Sequence, residues 1–586
     1  MVSGPGLVLG RVCGLAGLVN RSGSVSAWDW WVLLGTQAVI LGYGLWSMGK
    51  GRGSEDFLRA RTQKGWMVGL SIMATQASAI TFLSAPGLAF REGLGFVQFY
   101  LGLPLAMVVL SVVALPIYYR LNVYTAYQFL ESRFDGRVRS LAALLFLTQR
   151  GLAAGLTIYA PALILSTVLN WDLVWTNLLT GTLVMAYTLS GGSRAVARTQ
   201  LLQMLVILAG MGLAVWWMMG SMPEGWKGSE VLALSALAGK TEALVLRMNW
   251  EDRYSLWSGL IGGGFLMLSY FGTDQSQVQR YLGGQSLEES RKGLMLNAFL
   301  KLPMQLMILG IGLVLYVFYV MEVPPVNFKV GAAGDGGAGD ASALGSEGAV
   351  LARAFEAEAK ERRRVALAWQ ASEQGPQKEA LAGAFLHSEQ RMEQLRTQFQ
   401  ARQKEAFPDS DWKDTNYIFI RYVLDHLPVG LVGLLVSMVF CASMSSTSAE
   451  LSALSTTTLV DFYARRNPAA AQGAKALRLG RWFTLGWGLY ALGFALLAQH
   501  LGTLIEAVNM LGSLVYGTIL GLFLAAFLPN RIGSGAVLGA AILTEGMVLL
   551  LFFVLKIPYL WLNAVGALLV PLLAVIFGRM LPRPSH

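Results

Sequence analysis

The feature that most constrains this chain is its succession of long apolar runs. Many reach about 18 residues or more with few charges, the length that crosses a hydrocarbon core as a helix. Lipid offers no hydrogen bonds, so backbone groups at that depth must pair within their own segment, which selects helices. About thirteen runs can be read, at 27–48, 66–90, 95–119, 138–168, 171–190, 195–218, 255–279, 293–320, 428–459, 479–499, 502–528, 534–555 and 559–579. Composition agrees. Hydrophobic residues make up 54% of the 586 and charged residues only 14%, against about 25% charged in soluble proteins. The 66 glycines suit close helix contact. The expected class is an all-α integral membrane protein in the lipid bilayer.

The net charge of +10 would suggest nucleic acid in a soluble chain. Here the basic residues fall in alternate short loops, which assigns them to topology and excludes that partner. Lys50, Arg52, Arg59, Arg61 and Lys64 follow the first run; Arg120, Arg133, Arg137 and Arg139 the third. Arg194 and Arg198 follow the fifth, Arg280, Arg291 and Lys292 the seventh, and Arg465, Arg466, Lys475, Arg478 and Arg481 the ninth. The alternation predicts an N-terminus outside and a C-terminus in the cytoplasm of a cell inner (plasma) membrane. Cys13 and Cys441 are too far apart to suggest a disulfide framework or thiolate metal site, and His387, His426, His500 and His586 show no ligand spacing. No nucleophile with a paired base and no phosphate loop can be found, so an enzyme is not expected. Residues 1–26, with Arg11 and Arg21, make a poor signal peptide and are expected to form a disordered tail.

Two polar stretches interrupt the runs, an external loop at 219–254 and a larger external insert at 322–415. Val330 to Gly348 is Gly/Ala/Asp-rich, in the manner of a flexible linker. Beyond it, two helical segments meet at Gly375-Pro376. Leu351, Phe355, Val365 and Trp369 on one, and Leu381, Phe385, Met392, Leu395 and Phe399 on the other, keep heptad-like spacing, which predicts a helical hairpin. Residues 349–405 could dock an extracytoplasmic protein partner, or form a solvated hairpin with ordinary charged faces.

Two runs are unusually polar. The second reads Leu70-Ser71-Ile72-Met73-Ala74-Thr75-Gln76-Ala77-Ser78-Ala79-Ile80-Thr81, and the seventh holds Ser269-Tyr270-Phe271-Gly272-Thr273-Asp274-Gln275. Such residues let helices pack closely, or mark helices that unwind where they line a cavity. Each opens a block of five runs, 66–218 and 255–528, after an extra helix at 27–48 and before two C-terminal helices at 534–579. Matching positions are the mark of inverted repeats with a binding site between broken helices.

Four stretches, in order, carry a resemblance to the sodium:solute symporter family. They are Gly69-Leu70-Ser71 through Gly87; Thr157-Ile158-Tyr159-Ala160-Pro161-Ala162-Leu163-Ile164-Leu165; Gly191-Gly192-Ser193-Arg194-Ala195-Val196 leading to Gln203 and Met204; and Thr273-Asp274-Gln275 with Val278-Gln279-Arg280. In motif style they are nearest to the iodide/multivitamin and sialic acid branches. The resemblance covers roughly 27–528 without the insert. It implies a LeuT-type 5+5 inverted-repeat fold and sodium-driven uptake of a small-molecule solute, with Na+ as coupling ion and no organic cofactor. Sensors of this family carry a cytoplasmic kinase region, and the end at His586 soon after the last run is expected to set this chain apart from them.

Ala442, Ser445 and Ser446 stand at i, i+3 and i+4 and share one helix face. Their oxygens suit a hard cation, or could bond to their own backbone in a packing helix. The resemblance implies that the carbonyls of Ala74, Ala77 and Ala442 and the hydroxyls of Ser445 and Ser446 hold sodium. One departure is Gln200, where sodium-coupled members usually carry Asp. It keeps an oxygen but no charge and points to one sodium per solute. The substrate pocket is expected from Gln76, Thr81, Tyr100, Tyr270, Phe271, Glu506 and Asn509, with Tyr270 where sugar transporters place a gating aromatic. The other polar residues of the sugar branch are replaced. Arg150 lies mid-run, where an arginine is expensive and a functional candidate. Its planar fork suits a substrate carboxylate, or an internal ion pair, for instance with Glu506. The expected function is a sodium-coupled symporter for a small polar, carboxylate-bearing solute. Alternatives are a proton-coupled or uncoupled transporter of the same fold, or a transporter-like sensor or interaction protein.

Overall fold

Apolar sequence with no solvent partner for its amides folds to helix almost throughout, and the described residues contain no strand. The computed structural model describes residues 26–48, 63–169, 171–248, 254–329, 344–408, 414–468, 473–498, 503–528 and 532–580. The predicted tail, most of the first basic loop and most of the Gly/Ala/Asp linker lie outside these residues, as do the side chains of 190–198. Among the described residues, eight helices are long and apolar enough to cross a membrane. The protein is an integral membrane protein.

In chain order, α1 is Ala27–Met48, α2 Gly65–Gln76, α3 Ala79–Glu92, α4 Gly136–Leu169, α5 Leu173–Gly220, α6 Gly264–Thr273, α7 Gln275–Tyr281 and α8 Leu287–Met321. Then come α9 Gly345–Ala371, α10 Pro376–Ala406, α11 Leu431–Thr457, α12 Gly473–Ala495, α13 Leu504–Ala526, α14 Ser534–Phe553 and α15 Tyr559–Met580. The predicted run 95–119 is irregular: a 3-10 segment, Gly93–Tyr100, leads into Leu103–Val109 and Leu115–Arg120. The runs predicted at 171–190 and 195–218 are joined in one helical stretch, α5. A straight helix would put residues twelve apart about 18 Å from each other, yet the Tyr187 hydroxyl is hydrogen-bonded to Thr199. The stretch therefore turns back on itself between them, and its two halves are the two predicted runs.

Both polar runs break. Ala77 and Ser78 separate α2 from α3, and Asp274 separates α6 from α7. Pro86, Pro161, Pro303 and Pro571 sit inside helices without ending them, as membrane helices tolerate.

The centre of the bundle is α11, buried along nearly its whole length and packed against α1, α4, α5 and α12. Asp29 of α1 caps its start. The carboxylate accepts from the amides of Gly430 (2.6 Å) and Gly433 (2.9 Å), two of the amide donors a helix N-terminus leaves unpaired. The approach is close: a Cβ on Gly433 would meet the Asp29 carbonyl oxygen at 2.2 Å. The two broken helices are backed by others, α2 and α3 by α8, and α6 by α13.

The insert is a helical hairpin, α9 against α10. Phe355, Val365, Phe385, Met392 and Phe399 are buried. The hairpin also seats on the bundle. Arg362 donates to the carbonyl of Tyr319 (2.8 Å) and pairs with Glu389 (2.7 Å), and Arg396 donates to the carbonyls of Val326 and Pro325 (3.1 Å each). Asp414 pairs with Arg91 at the end of α3 (2.7 Å) and accepts from the Phe328 amide (3.0 Å).

Candidate functional site

The first break frees the carbonyls the sequence singled out. In an unbroken helix the amides of Ser78 and Thr81 would bond to the carbonyls of Ala74 and Ala77. Here Ser78 donates to Gln76 (3.0 Å) and Thr81 to Ser78 (3.0 Å). The Ser445 hydroxyl of α11 donates to the released Ala74 carbonyl at 2.8 Å. Ser446 donates to the carbonyls of Ala442 (2.9 Å) and Ser443 (3.3 Å). All five predicted sodium ligands are buried, and they come from α11 and from the break it faces.

Gln200, fully buried on α5, joins the same two elements. It accepts from Ser71 (2.5 Å), and its amide group donates to Thr75 (3.0 Å) and to the Ser445 carbonyl (3.2 Å). Its oxygen is engaged by Ser71, so a neutral hydrogen-bonded strut stands where an Asp would put a charge.

Next to this cluster lies a cavity of about 90 Å³. Six predicted substrate residues line it: Gln76, Thr81, Tyr100, Arg150, Tyr270 and Asn509. Ser446 lines it too, so the predicted sodium ligands and the cavity adjoin. Gln277 of α7 donates to the Tyr270 hydroxyl (2.6 Å) and so steadies that ring from the far side of the second break.

Two predicted residues do not line the cavity. Phe271 is fully buried with its ring 4.9 Å from that of Tyr270. Neighbours on a helix point about 100° apart, so Tyr270 takes the cavity-facing position. On α13 the inward face is Ile505, Val508 and Asn509. Glu506 falls off that face and accepts from the Tyr254 hydroxyl (3.4 Å).

Nor does Glu506 pair with Arg150. The buried guanidinium donates from Nε to Asp274 Oδ2 (2.9 Å) and from Nη1 to Glu450 Oε1 (3.0 Å), while Nη2 reaches both Asp274 and the Tyr516 hydroxyl. Tyr516 in turn donates to Asp274 (2.7 Å). The rings of Tyr270 and Tyr516 flank the cation at 5.3 and 6.0 Å. Glu450 accepts from Thr157 (2.8 Å), which accepts from Thr447 (2.9 Å). The Ser443 hydroxyl donates to the Thr157 carbonyl (2.8 Å).

Sequence reasoning missed Glu450, Asp274 as a site residue, Tyr516 and Lys301. The rule that flagged Arg150, an ionisable side chain inside an apolar run, applies equally to Glu450, which follows Ser446 by one helical turn. It applies also to Lys301 of α8, fully buried with its ammonium 5.5 Å from the centre of the Tyr100 ring.

An all-helical membrane bundle with two broken helices beside a buried polar cavity has the architecture of a secondary transporter. The family model described as sodium:solute symporter family matches residues 57–340 and 405–543, and the chain belongs to that family. The hairpin falls in the gap between the two matched stretches. The chain is 34% identical over 298 residues to the sodium/iodide cotransporter of Homo sapiens, covering 50% of this chain and 46% of that protein. It is 28% identical to the sodium-dependent multivitamin transporter of Oryctolagus cuniculus, over 80% of this chain and 61% of that one. Against these two, the chain spans about half to three-fifths of their length. With the sodium/sialic acid symporter NanT of Aliivibrio fischeri the identity is 23% over 92% and 91% of the two chains. A solved structure of a Na+-coupled sialic acid symporter, substrate-bound and outward-open, shares the fold with a TM-score of 0.73, at 21% identity over 95% and 98% of the chains.

Proposed function

We propose that this protein is a sodium-coupled symporter, not an enzyme, that imports a small polar, carboxylate-bearing solute by alternating access. The observation that carries the reading is the meeting of the first break with α11. The carbonyl released at Ala74 accepts from Ser445, that of Ala77 is released one turn further on, and Ser446 opens onto the cavity that holds Arg150. This is an oxygen-only donor set suited to a hard monovalent cation. Sodium bound there would replace the Ser445 hydrogen bond to Ala74 and hold α2 against α11, shaping the cavity for solute. Gln76, Thr81, Tyr100, Tyr270 and Asn509 supply polar and aromatic contacts, and Arg150 the charge. The engaged Gln200 supports a single sodium per solute. The sodium-dependent transport of the relatives agrees with this reading.

The same reading places inverted repeats at 66–218 and 255–528, an N-terminus outside, and a C-terminus in the cytoplasm of an inner membrane. For the hairpin, the burial of its apolar seam and of Arg362 and Arg396 against the bundle supports a fixed external cap over a partner-docking arm.

A thermal-shift screen of the purified protein with small carboxylates, amino acids and sugars, in sodium and in choline, tests the proposal. Ligands that bind the folded state raise its melting point. A carboxylate that stabilises only in sodium is the expected result. Equal shifts in both salts would overturn the coupling, and shifts by sugars alone would overturn the solute class.

A further inference from the structure

One guanidinium serves two carboxylates here, and the two are held differently. Asp274 is built into the fold. Its Oδ1 accepts from the amide (2.8 Å) and hydroxyl (2.6 Å) of Ser276, capping α7, and its Oδ2 accepts from Tyr516 and from two nitrogens of Arg150. It does not line the cavity. Glu450 does, together with both of its partners, Arg150 and Thr157. Its side chain has no cap to maintain.

The donors of Arg150 divide accordingly. Nε and Nη2 are committed to Asp274 and Tyr516, which leaves Nη1 for the cavity side, and Glu450 accepts from one of its two N–H groups at 3.0 Å. A solute carboxylate recognised by Arg150 has to take that edge. It would be the third negative group around one positive charge, and like charges at contact distance repel strongly in a low-dielectric interior.

We propose that Glu450 is an internal stand-in for the substrate carboxylate. It holds the cavity-facing edge of Arg150 while no solute is bound, and an entering carboxylate displaces it. This rests on the reading of the solute as a carboxylate. Glu450 thereby sets specificity, since a weakly interacting carboxylate cannot dislodge a tethered one. A solute with further groups for Gln76, Thr81 or Asn509 can. Thr157 and Thr447 give the displaced side chain hydroxyls along its own helix and α4.

The experiment compares full-length wild type with Glu450→Gln and Glu450→Asp in sodium chloride. Acetate, propionate and lactate are titrated as probes, with glucose as the uncharged control. Glu450→Gln keeps the shape and removes the competing charge, so carboxylate affinity should rise about ten-fold or more while glucose is unaffected. Glu450→Asp withdraws the charge by one methylene and should give a smaller rise, which decides the matter should the Gln variant not fold. Carboxylate binding by wild type that is unchanged or weakened in both variants would overturn the stand-in role and leave the carboxylate reading intact. No carboxylate binding by any of the three would overturn both.

Discussion

Gln200 shows how one neutral side chain can do the structural part of what a charge would do in its place. It bonds Ser71 and Thr75 on α2 and the Ser445 carbonyl on α11. Replacing it by Leu leaves buried hydroxyl and carbonyl groups short of partners, at a cost of about 1–3 kcal/mol, to be read as a lowered denaturation midpoint in sodium-free detergent solution. Ser445 makes the complementary case. Its hydroxyl rests on the Ala74 carbonyl and, in the proposed bound state, turns to the ion. Ser445→Ala should therefore weaken sodium by roughly 10-fold or more, as expected for a lost bond to a charge of about 1.5–3 kcal/mol. Sodium-dependent melting curves of the two proteins check it, and superimposed curves would remove Ser445 from the site.

At the scale of elements, α11 and the α9–α10 hairpin carry the clearest expectations. Asp29→Ala withdraws the carboxylate that caps α11 from α1, and loss of an N-cap costs about 0.5–2 kcal/mol. The variant should melt earlier and expose the amides around Gly430 to hydrogen exchange. Beneath the hairpin, burial pushes the Asp414 carboxyl up, but Arg91, Arg396 and the Phe328 amide outweigh it and hold the group below its usual range. A carboxyl depressed in the folded state stabilises fully above its unfolded value, near 3.9. That contribution is lost as pH falls through the lower folded value. Amide protection in residues 344–408, corrected for the pH dependence of intrinsic exchange, should thus be steady from neutral pH to about 4 and fall below it, and Asp414→Asn should remove the step.

The elements were largely legible because their cause is local. The polar run at Ser71–Thr81 announced its own break, and the hairpin seams at Phe355, Phe385 and Phe399 carried their period in the sequence. The two halves of α5 were also readable, although one helical stretch joins them. The partners of Arg150 were not. Asp274 and Glu450 lie 124 and 300 residues away, and nothing along the chain says which carboxylate two separate helices bring together. Glu506 has the right chemistry by type, but rotation about α13 turns it away from the cavity. Phe271 failed for the same reason, since which of two adjacent aromatics faces a cavity depends on the roll of the helix.

For the whole molecule, the fold brings two distant stretches of the sequence together. The proposed sodium ligands at the first break adjoin a cavity whose arginine is already held by carboxylates, so the proposed ion and solute sites share Ser446 as a common wall. Coupling follows if sodium fixes the wall that the solute then binds against. The most direct test is uptake into proteoliposomes of a radiolabelled carboxylate found to stabilise the protein. An inward sodium gradient is imposed, with choline as the control. The expected result is accumulation above the external concentration that collapses when the sodium gradient is dissipated. Equal accumulation with choline, or mere equilibration whatever the gradient, would contradict it.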